Sequence, residues 1–280
     1  MIYAFVALFT LFCFLPFWVV VINSFAAEEV LRVEGYRLIP SKFSLFSYRY
    51  LFDGRQIYSS YLVTVSVTLA GTVLSLLISS MFAYTLAHPR VKYRGILSFL
   101  TYFTTIFGAN MVGSYILIAN WLHMKDTIFA LILPMLLNPF NAFILVAFFR
   151  TLPIELSEAA TVDGANDAYI FFRLVWPIST PALATVALLY ALQYWNDFWL
   201  ALMYIDNYKL HPLQIMIRQM ISSLRASAYI GNTRTNYQQI TPYFGLQLST
   251  VCLTIGPIIL LYPLLQRYFV TGLTIGAIKG

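Results

Sequence analysis

A segment needs about 20 predominantly apolar residues to cross the ~30 Å hydrocarbon core of a bilayer. Six such runs recur along this chain, near residues 3–22, 58–87, 96–118, 128–149, 182–205 and 246–268. Apart from Arg150 and Arg267 at their edges, the only formal charge within them is Asp197. Hydrocarbon offers the backbone no water, so segments of this kind are stable as helices, each closing its own hydrogen bonds. The expected fold is therefore all-α: a polytopic membrane protein with six transmembrane helices, forming one transmembrane domain over residues 1–280.

Composition sharpens that expectation by exclusion. Of the 280 residues, 60% are apolar and only 10% charged, against about 25% charged in soluble domains. A soluble domain of this length has no interior large enough to hide so much apolar surface. A cytosolic enzyme, a secreted disulfide scaffold and a disordered chain are all excluded. The net charge of +6 comes from 17 Lys and Arg scattered singly, so no phosphate-tracking patch points to nucleic acid. Cys13 and Cys252 lie inside apolar runs and have neither a metal-ligand spacing nor a disulfide framework.

The first run has a rival reading, because Ser24-Phe25-Ala26 resembles a signal-peptide cleavage site. A signal peptide wants a basic start, yet no Lys or Arg precedes Arg32, and the run is longer than a typical signal core. We expect a true span. Six spans place both termini on one side. The short connection 88–95 carries Arg90, Lys92 and Arg94 and no acid, whereas 119–127 carries Lys125 and Asp126. Short basic loops stay cytoplasmic, which assigns 88–95, 150–181 and both termini to the cytoplasm of a bacterial plasma membrane. On the other side, Pro212 can open a helix with Leu213, Ile217, Met220, Ile221 and Leu224 on one face and Arg218 and Arg225 off it.

Polar groups inside spans are costly unless they line a cavity or bond a neighbour, which makes them the candidate pathway. The fifth run offers Gln193, Tyr194, Trp195, Asn196, Asp197 and Trp199; the fourth offers Asn138 and Asn141 beside Pro139; the third offers Asn110. Amides and a carboxylate suit hydroxyl-rich solutes, and aromatic faces suit sugar C–H surfaces. The same residues also serve as helix–helix bonds and interface anchors. Both uses stay open on the sequence.

The segment 150–181 does not read as a plain loop. Pro153 suits a helix start, Glu155 and Glu158 sit in the early turns where the helix dipole favours anions, and Asp163-Gly164 is a stop signal. A second short helix near 166–175 then leads to Trp176-Pro177. The small residues Ala159, Ala160, Gly164 and Ala165 allow close approach of another surface, although a structural loop uses the same pieces. No phosphate-binding G-x-x-x-x-G-K-[ST] occurs anywhere. His88, His123 and His211 lie in separate connections, and one intramembrane acid cannot form an aspartyl dyad.

Glu158-Ala159-Ala160, Asp163-Gly164-Ala165 and then Ile170 and Pro177 resemble the EAA loop of permease subunits in ABC importers. Asn23-Ser24-Phe25, Tyr194-Trp195-Asn196-Asp197 and the ending Gly272-Leu273-Thr274-Ile275-Gly276-Ala277-Ile278-Lys279-Gly280 are similar to the maltose-type carbohydrate permeases. One departure is the start of the chain, which reaches the membrane without the basic tail usual in that family.

The resemblance implies a cytoplasmic helix–turn–helix coupling segment at 150–181, contacting an ATPase through Glu158, Ala159, Ala160, Asp163 and Gly164, with Ile278, Lys279 and Gly280 nearby. Among the polar residues inside the spans, Asn138, Asn141, Tyr194, Asn196 and Asp197 are the candidates for the substrate pathway. Implied partners are a second homologous permease subunit, two ATPase subunits, an extracytoplasmic solute-binding protein and membrane lipid, with no nucleic acid. This chain carries no cofactor and no catalysis; ATP and magnesium belong to the partner ATPase. The implied cargo is a sugar, and Asn138-Pro139-Phe140-Asn141 together with Tyr194-Trp195-Asn196-Asp197 looks closest to the branch handling complex oligosaccharides. The rival is a secondary transporter driven by an ion gradient, with Asp197 as its proton relay.

Overall fold

A computed structural model describes residues 2–108, 110–231, 243–257 and 259. In chain order the helices are α1 (Ile2–Ser24), α2 (Glu28–Val33), α3 (Phe46–Asp53), α4 (Arg55–Ala87), α5 (Arg94–Ile106), α6 (Met111–Tyr115), α7 (Ile128–Ile132) and α8 (Pro139–Phe149). They continue with α9 (Ile154–Val162), α10 (Asp167–Ile170), α11 (Trp176–Ile178), α12 (Thr180–Asn196), α13 (Trp199–Tyr204) and α14 (Leu213–Gly231); residues 243–257 are also helical. Among the described residues there is no extended sheet, only an isolated antiparallel bridge between Ala26 and Phe43. The all-α class is as expected.

The spans are less regular than their apolar runs suggest. Only α1 and α4 are single helices long and apolar enough to cross a bilayer, among the described residues. The third run is broken rather than straight: α5 is separated from α6 and its π-helical continuation Ile116–Trp121 by a 112° turn. Asn110 accounts for the restart, since its side chain accepts the Val112 N–H as an N-cap. The fourth run bends by 48° between Ile128–Met135 and α8. Here Asn138 caps α8 and Pro139 takes the first helical position, where its missing N–H costs nothing. The fifth run is also two helices, α12 and α13, with Asp197 at the break. The sixth run is described only through 257 and at 259, and Gly272–Gly280 lies outside the described residues.

Two compact units divide the described residues, one formed by those up to 61 together with 211–259, the other by 62–210. In the first, α14 lays Leu213, Met216 and Ile217 against Leu51, Ile57 and Leu246, with Tyr61, Met220, Ile221 and Leu253 packed around them. Leu213, Ile217, Met220 and Ile221 stand on the expected face and Arg218 is exposed, while the side chains of Leu224 and Arg225 lie outside what is described. Pro212 stands one position earlier than expected: it lies outside the helix and its carbonyl accepts the Met216 N–H. Glu28 is the buried acid of this unit. Its carboxylate accepts the N–H groups of Phe244 (3.2 Å) and Gly245 (2.9 Å), which open the helical stretch 243–257, and pairs with Arg32 at 3.3 Å. At the end of α1, Asn23 bonds both backbone groups of Arg37, donating to its carbonyl at 2.6 Å and accepting its N–H at 3.1 Å.

In the second unit the joint is between α4 and α12. Gly71, Ser75 and Ser79 repeat every four residues and therefore share one face of α4. Tyr190 and Tyr194 repeat likewise on α12. The Tyr190 hydroxyl bonds Ser79 at 2.6 Å and accepts the Asn138 N–H at 2.9 Å. The Tyr194 hydroxyl donates to the Ile132 carbonyl at 3.0 Å, so the 2.8 Å bond to Ser75 is donated by the serine. Both tyrosines are buried, at 0% and 3% exposure. The Tyr194 ring lies against Gly71, where a Cβ would stand 2.7–2.8 Å from ring carbons.

Two outcomes follow for thermal melts of the solubilised chain. Gly71→Ala is expected to destabilise by about 1–3 kcal/mol through overpacking, and Tyr194→Phe by about 1 kcal/mol for two membrane hydrogen bonds. In Tyr194→Ala the cost of adding Gly71→Ala should vanish; additive costs would refute the packing assignment. Glu28→Ala, which strands two backbone donors, is expected to cost about 1–3 kcal/mol and to speed amide exchange at 244–246. Unchanged exchange there would remove the capping role.

Candidate functional site

After α8 the chain folds as α9, a turn and α10. Pro153 precedes α9 in extended conformation (φ −60°, ψ 125°) and Glu155 occupies its first turn. The helix ends in a Schellman motif. The Gly164 N–H reaches the Thr161 carbonyl at 3.0 Å and the Ala165 N–H reaches the Ala160 carbonyl at 2.9 Å. Gly164 has φ +86°, a left-handed conformation that a side chain resists. Asn166 then accepts the Tyr169 N–H at 2.8 Å and starts α10. The turn leaves a recess of about 560 Å³ lined by Ala160, Asp163, Gly164, Asn166, Tyr169 and Leu174.

The whole of α9 lacks a buried residue. Its apolar side chains remain open to the surroundings, with Ile154, Leu156 and Val162 exposed at 37%, 48% and 87%. Glu155, Glu158, Ala159 and Asp163 are exposed as well. A nine-residue helix is too short to be stable in water by its own hydrogen bonds, so this one is held mainly by its ends. One side chain tethers it laterally: Glu158 accepts from Arg90 Nη2 at 3.0 Å, across from the 88–95 loop. Both partners are about half exposed, and pairs of that kind contribute little stability. Arg90 was not singled out by its sequence context; its place in a short all-basic loop is the signal that points to it.

The five candidate pathway residues do not gather into one hydrogen-bonded cluster. Asn138 accepts the Phe140 and Asn141 N–H groups at 2.9 and 3.3 Å, and its amide donates to Gln193 at 3.3 Å. Asn141 is buried at 3% exposure, one turn further along α8. Tyr194 belongs to the α4–α12 joint described above. Asn196 is exposed at the end of α12 and its amide bonds back to the Leu192 carbonyl at 2.8 Å. Asp197 is half-buried, and its Oδ2 accepts the Leu200 N–H at 3.2 Å in the first turn of α13. Sequence reasoning passed over Tyr190, Ser75 and Ser79, although the four-residue spacing of small residues in 71–79 is the pattern that lets helices approach in lipid.

The fold and these features agree with known proteins. The family model for "Binding-protein-dependent transport system inner membrane component" matches residues 75–275. The chain is 37% identical to the polygalacturonan/rhamnogalacturonan transport system permease protein YtcP of Bacillus subtilis, covering 100% of this chain and 97% of that one. It is 30% identical to the arabinooligosaccharides transport system permease protein AraQ of Halalkalibacterium halodurans, over 99% and 94% of the two chains. A solved bacterial ABC transporter "involved in the import of the acidic polysaccharide alginate" superposes with a TM-score of 0.82 at 26% identity, over 95% of this chain and 94% of that one. With a family match over residues 75–275 and this full-length likeness, the chain belongs to the inner-membrane permease components of binding-protein-dependent ABC import systems.

Proposed function

We propose that this chain is the permease subunit through which an ATP-driven importer moves an oligosaccharide, and that α9 is where the motor grips it. The observation that carries the motor contact is the absence of any buried residue in α9. Three apolar side chains and a close-approach surface at Ala159 and Ala160 are left for another protein to cover. The partner is a separate ATPase subunit holding ATP and magnesium, with the Glu158 and Asp163 carboxylates offered to its polar or basic groups. Gly164 supplies the turn that presents the helix. A second homologous permease, two ATPase subunits and an extracytoplasmic solute-binding protein complete the assembly. The 88–95 loop, the 150–181 segment and both termini face the cytoplasm, following the basic short loop.

Cargo passes by alternating access along the polar groups of the fourth and fifth runs. Asn196 and Asp197 supply hydrogen-bonding groups at the break between α12 and α13, Asn138 and Asn141 do so on α8, and Tyr194 holds α12 in register against α4. Relatives named for polygalacturonan, rhamnogalacturonan and arabinooligosaccharides make fragments of plant cell-wall polysaccharides the first cargo to test.

The reconstituted complex, loaded with binding protein and such fragments, is expected to hydrolyse ATP faster when sugar is present. Gly164→Val places a branched side chain in the left-handed conformation and is expected to lower sugar-stimulated hydrolysis about tenfold, the equivalent of 1–2 kcal/mol of strain at the turn. Glu158→Ala should lower it further when combined. Normal transport in both variants would dismiss the docking assignment. Asp197→Asn should leave transport dependent on ATP and indifferent to a proton gradient. Uptake without nucleotide that collapses with the gradient would instead identify a secondary transporter.

A further inference from the structure

A cleft of about 620 Å³ lies where the end of α4, the start of α5 and the passage from α8 to α9 meet. Its chemistry is one-sided. Arg94 and Arg150 line it together with His88, Ser98, Ser157 and Tyr84, and no carboxylate is among its lining residues. Both arginines are exposed, and among the described residues neither makes an ion pair. His88 Nδ1 accepts the Arg90 N–H at 3.3 Å, which leaves Nε2 as the nitrogen that donates. The Tyr84 hydroxyl is buried beside the Ser157 side chain.

Two helices begin at this cleft, through Arg94 and Gly95 of α5 and through Ile154 of α9, and neither has a side-chain N-cap. Their first-turn N–H groups add partial positive charge to that of the arginines. The ends of α4 and α8 reach the same cleft through Ala87 and Phe149, and their carbonyls offset those N–H groups, so the two arginines, the only full charges on the lining, set its preference for an anion.

What adjoins the cleft narrows the anion. Directly after Gly95, α5 presents Ile96, Phe99, Leu100 and Phe103 at 42–62% exposure. Phe99, Phe103 and Phe107 form a continuous aromatic row, with centroids 6.1 and 4.4 Å apart. A soluble anion has no use for that row, whereas a molecule with a charged head and a hydrocarbon tail matches both parts at once. Basic recesses at the ends of membrane helices suit such headgroups.

We infer that this cleft is a binding site for an anionic phospholipid, with the phosphate held by Arg94, Arg150 and Ser98 and an acyl chain lying along Phe99 and Phe103. The site joins the short basic loop, α5 and the first turn of α9. A bound lipid therefore ties the base of α9 to the membrane, independently of what docks on its outer face.

The test is lipid retention, read by native mass spectrometry on the full-length chain purified from membranes with its accompanying subunits. Phosphatidylglycerol and phosphatidylcholine are offered in separate arms, and millimolar inorganic phosphate is added in a third. Each basic group near an anionic lipid surface contributes about fivefold. The Arg94→Gln/Arg150→Gln variant is therefore expected to retain about 25-fold less phosphatidylglycerol, and Arg94→Lys/Arg150→Lys to retain it nearly as well as the parent. If the double glutamine variant fails to assemble, each single variant should show about a fivefold loss. Equal retention of the two lipids, or unchanged phosphatidylglycerol in the glutamine variants, overturns the proposal. Full displacement by inorganic phosphate also overturns it, by showing a site for soluble anions. Because the readout is bound lipid, the result does not depend on whether α9 docks an ATPase.

Discussion

Inside hydrocarbon a polar group must find its partner within the protein, and the pairing of Tyr190 and Tyr194 with Ser79 and Ser75 is where this chain meets that demand. The two hydroxyls do more than join α4 to α12. Tyr190 also takes the Asn138 N–H at the head of α8, and Tyr194 reaches the Ile132 carbonyl at the end of α7. The bend between those helices leaves backbone groups without intrahelical partners, and the tyrosines of a third helix satisfy them. A broken span is tolerated in a membrane when neighbours re-satisfy the freed groups, and this joint does so. Gly71 sets how closely the helices approach, since the Tyr194 ring occupies the space a Cβ would need.

Much of this was legible in the sequence, for definable reasons. Apolar runs report where helices lie because lipid exposure imposes composition, and the all-α class followed from that. The same runs could not report the breaks. Composition is blind to direction, so a span cut at Asn110, Asn138 or Asp197 looks as apolar as a straight one. In each case the residue at the cut is a polar side chain bonding backbone N–H groups of the next helix. Read as pathway candidates, Asn138 is also the N-cap of α8 and Asp197 also accepts a first-turn N–H of α13, and a single sequence does not separate the two uses. Asn23-Ser24-Phe25 was recognised as a pattern without a mechanism; the structure supplies one in the double bond from Asn23 to the Arg37 backbone. Glu28 was hidden for the opposite reason: an acid in a connecting segment looks solvated, yet this one is buried against two backbone donors from residues more than 200 positions away.

The segment 150–181 shows a different economy. Its turn was readable from Asp163-Gly164, because a left-handed residue after a helix favours glycine on steric grounds. Its lack of packing was not, since Ile154, Leu156 and Val162 look like residues that belong in a core. Their exposure makes α9 an incomplete element, tethered to its own chain by its two ends and by the exposed Arg90–Glu158 pair. A contact so weak keeps the helix near its position without resisting displacement, which is what the proposed motor contact requires.

That incompleteness is the central claim, and amide hydrogen exchange tests it most directly. Exchange across 154–162 is to be followed in the permease with and without its ATPase subunit, using 182–196 of α12 as an internal reference. The account predicts fast exchange in α9 alone, strong slowing when the ATPase is bound, and no change in α12. Equal exchange in α9 with and without the ATPase would contradict it.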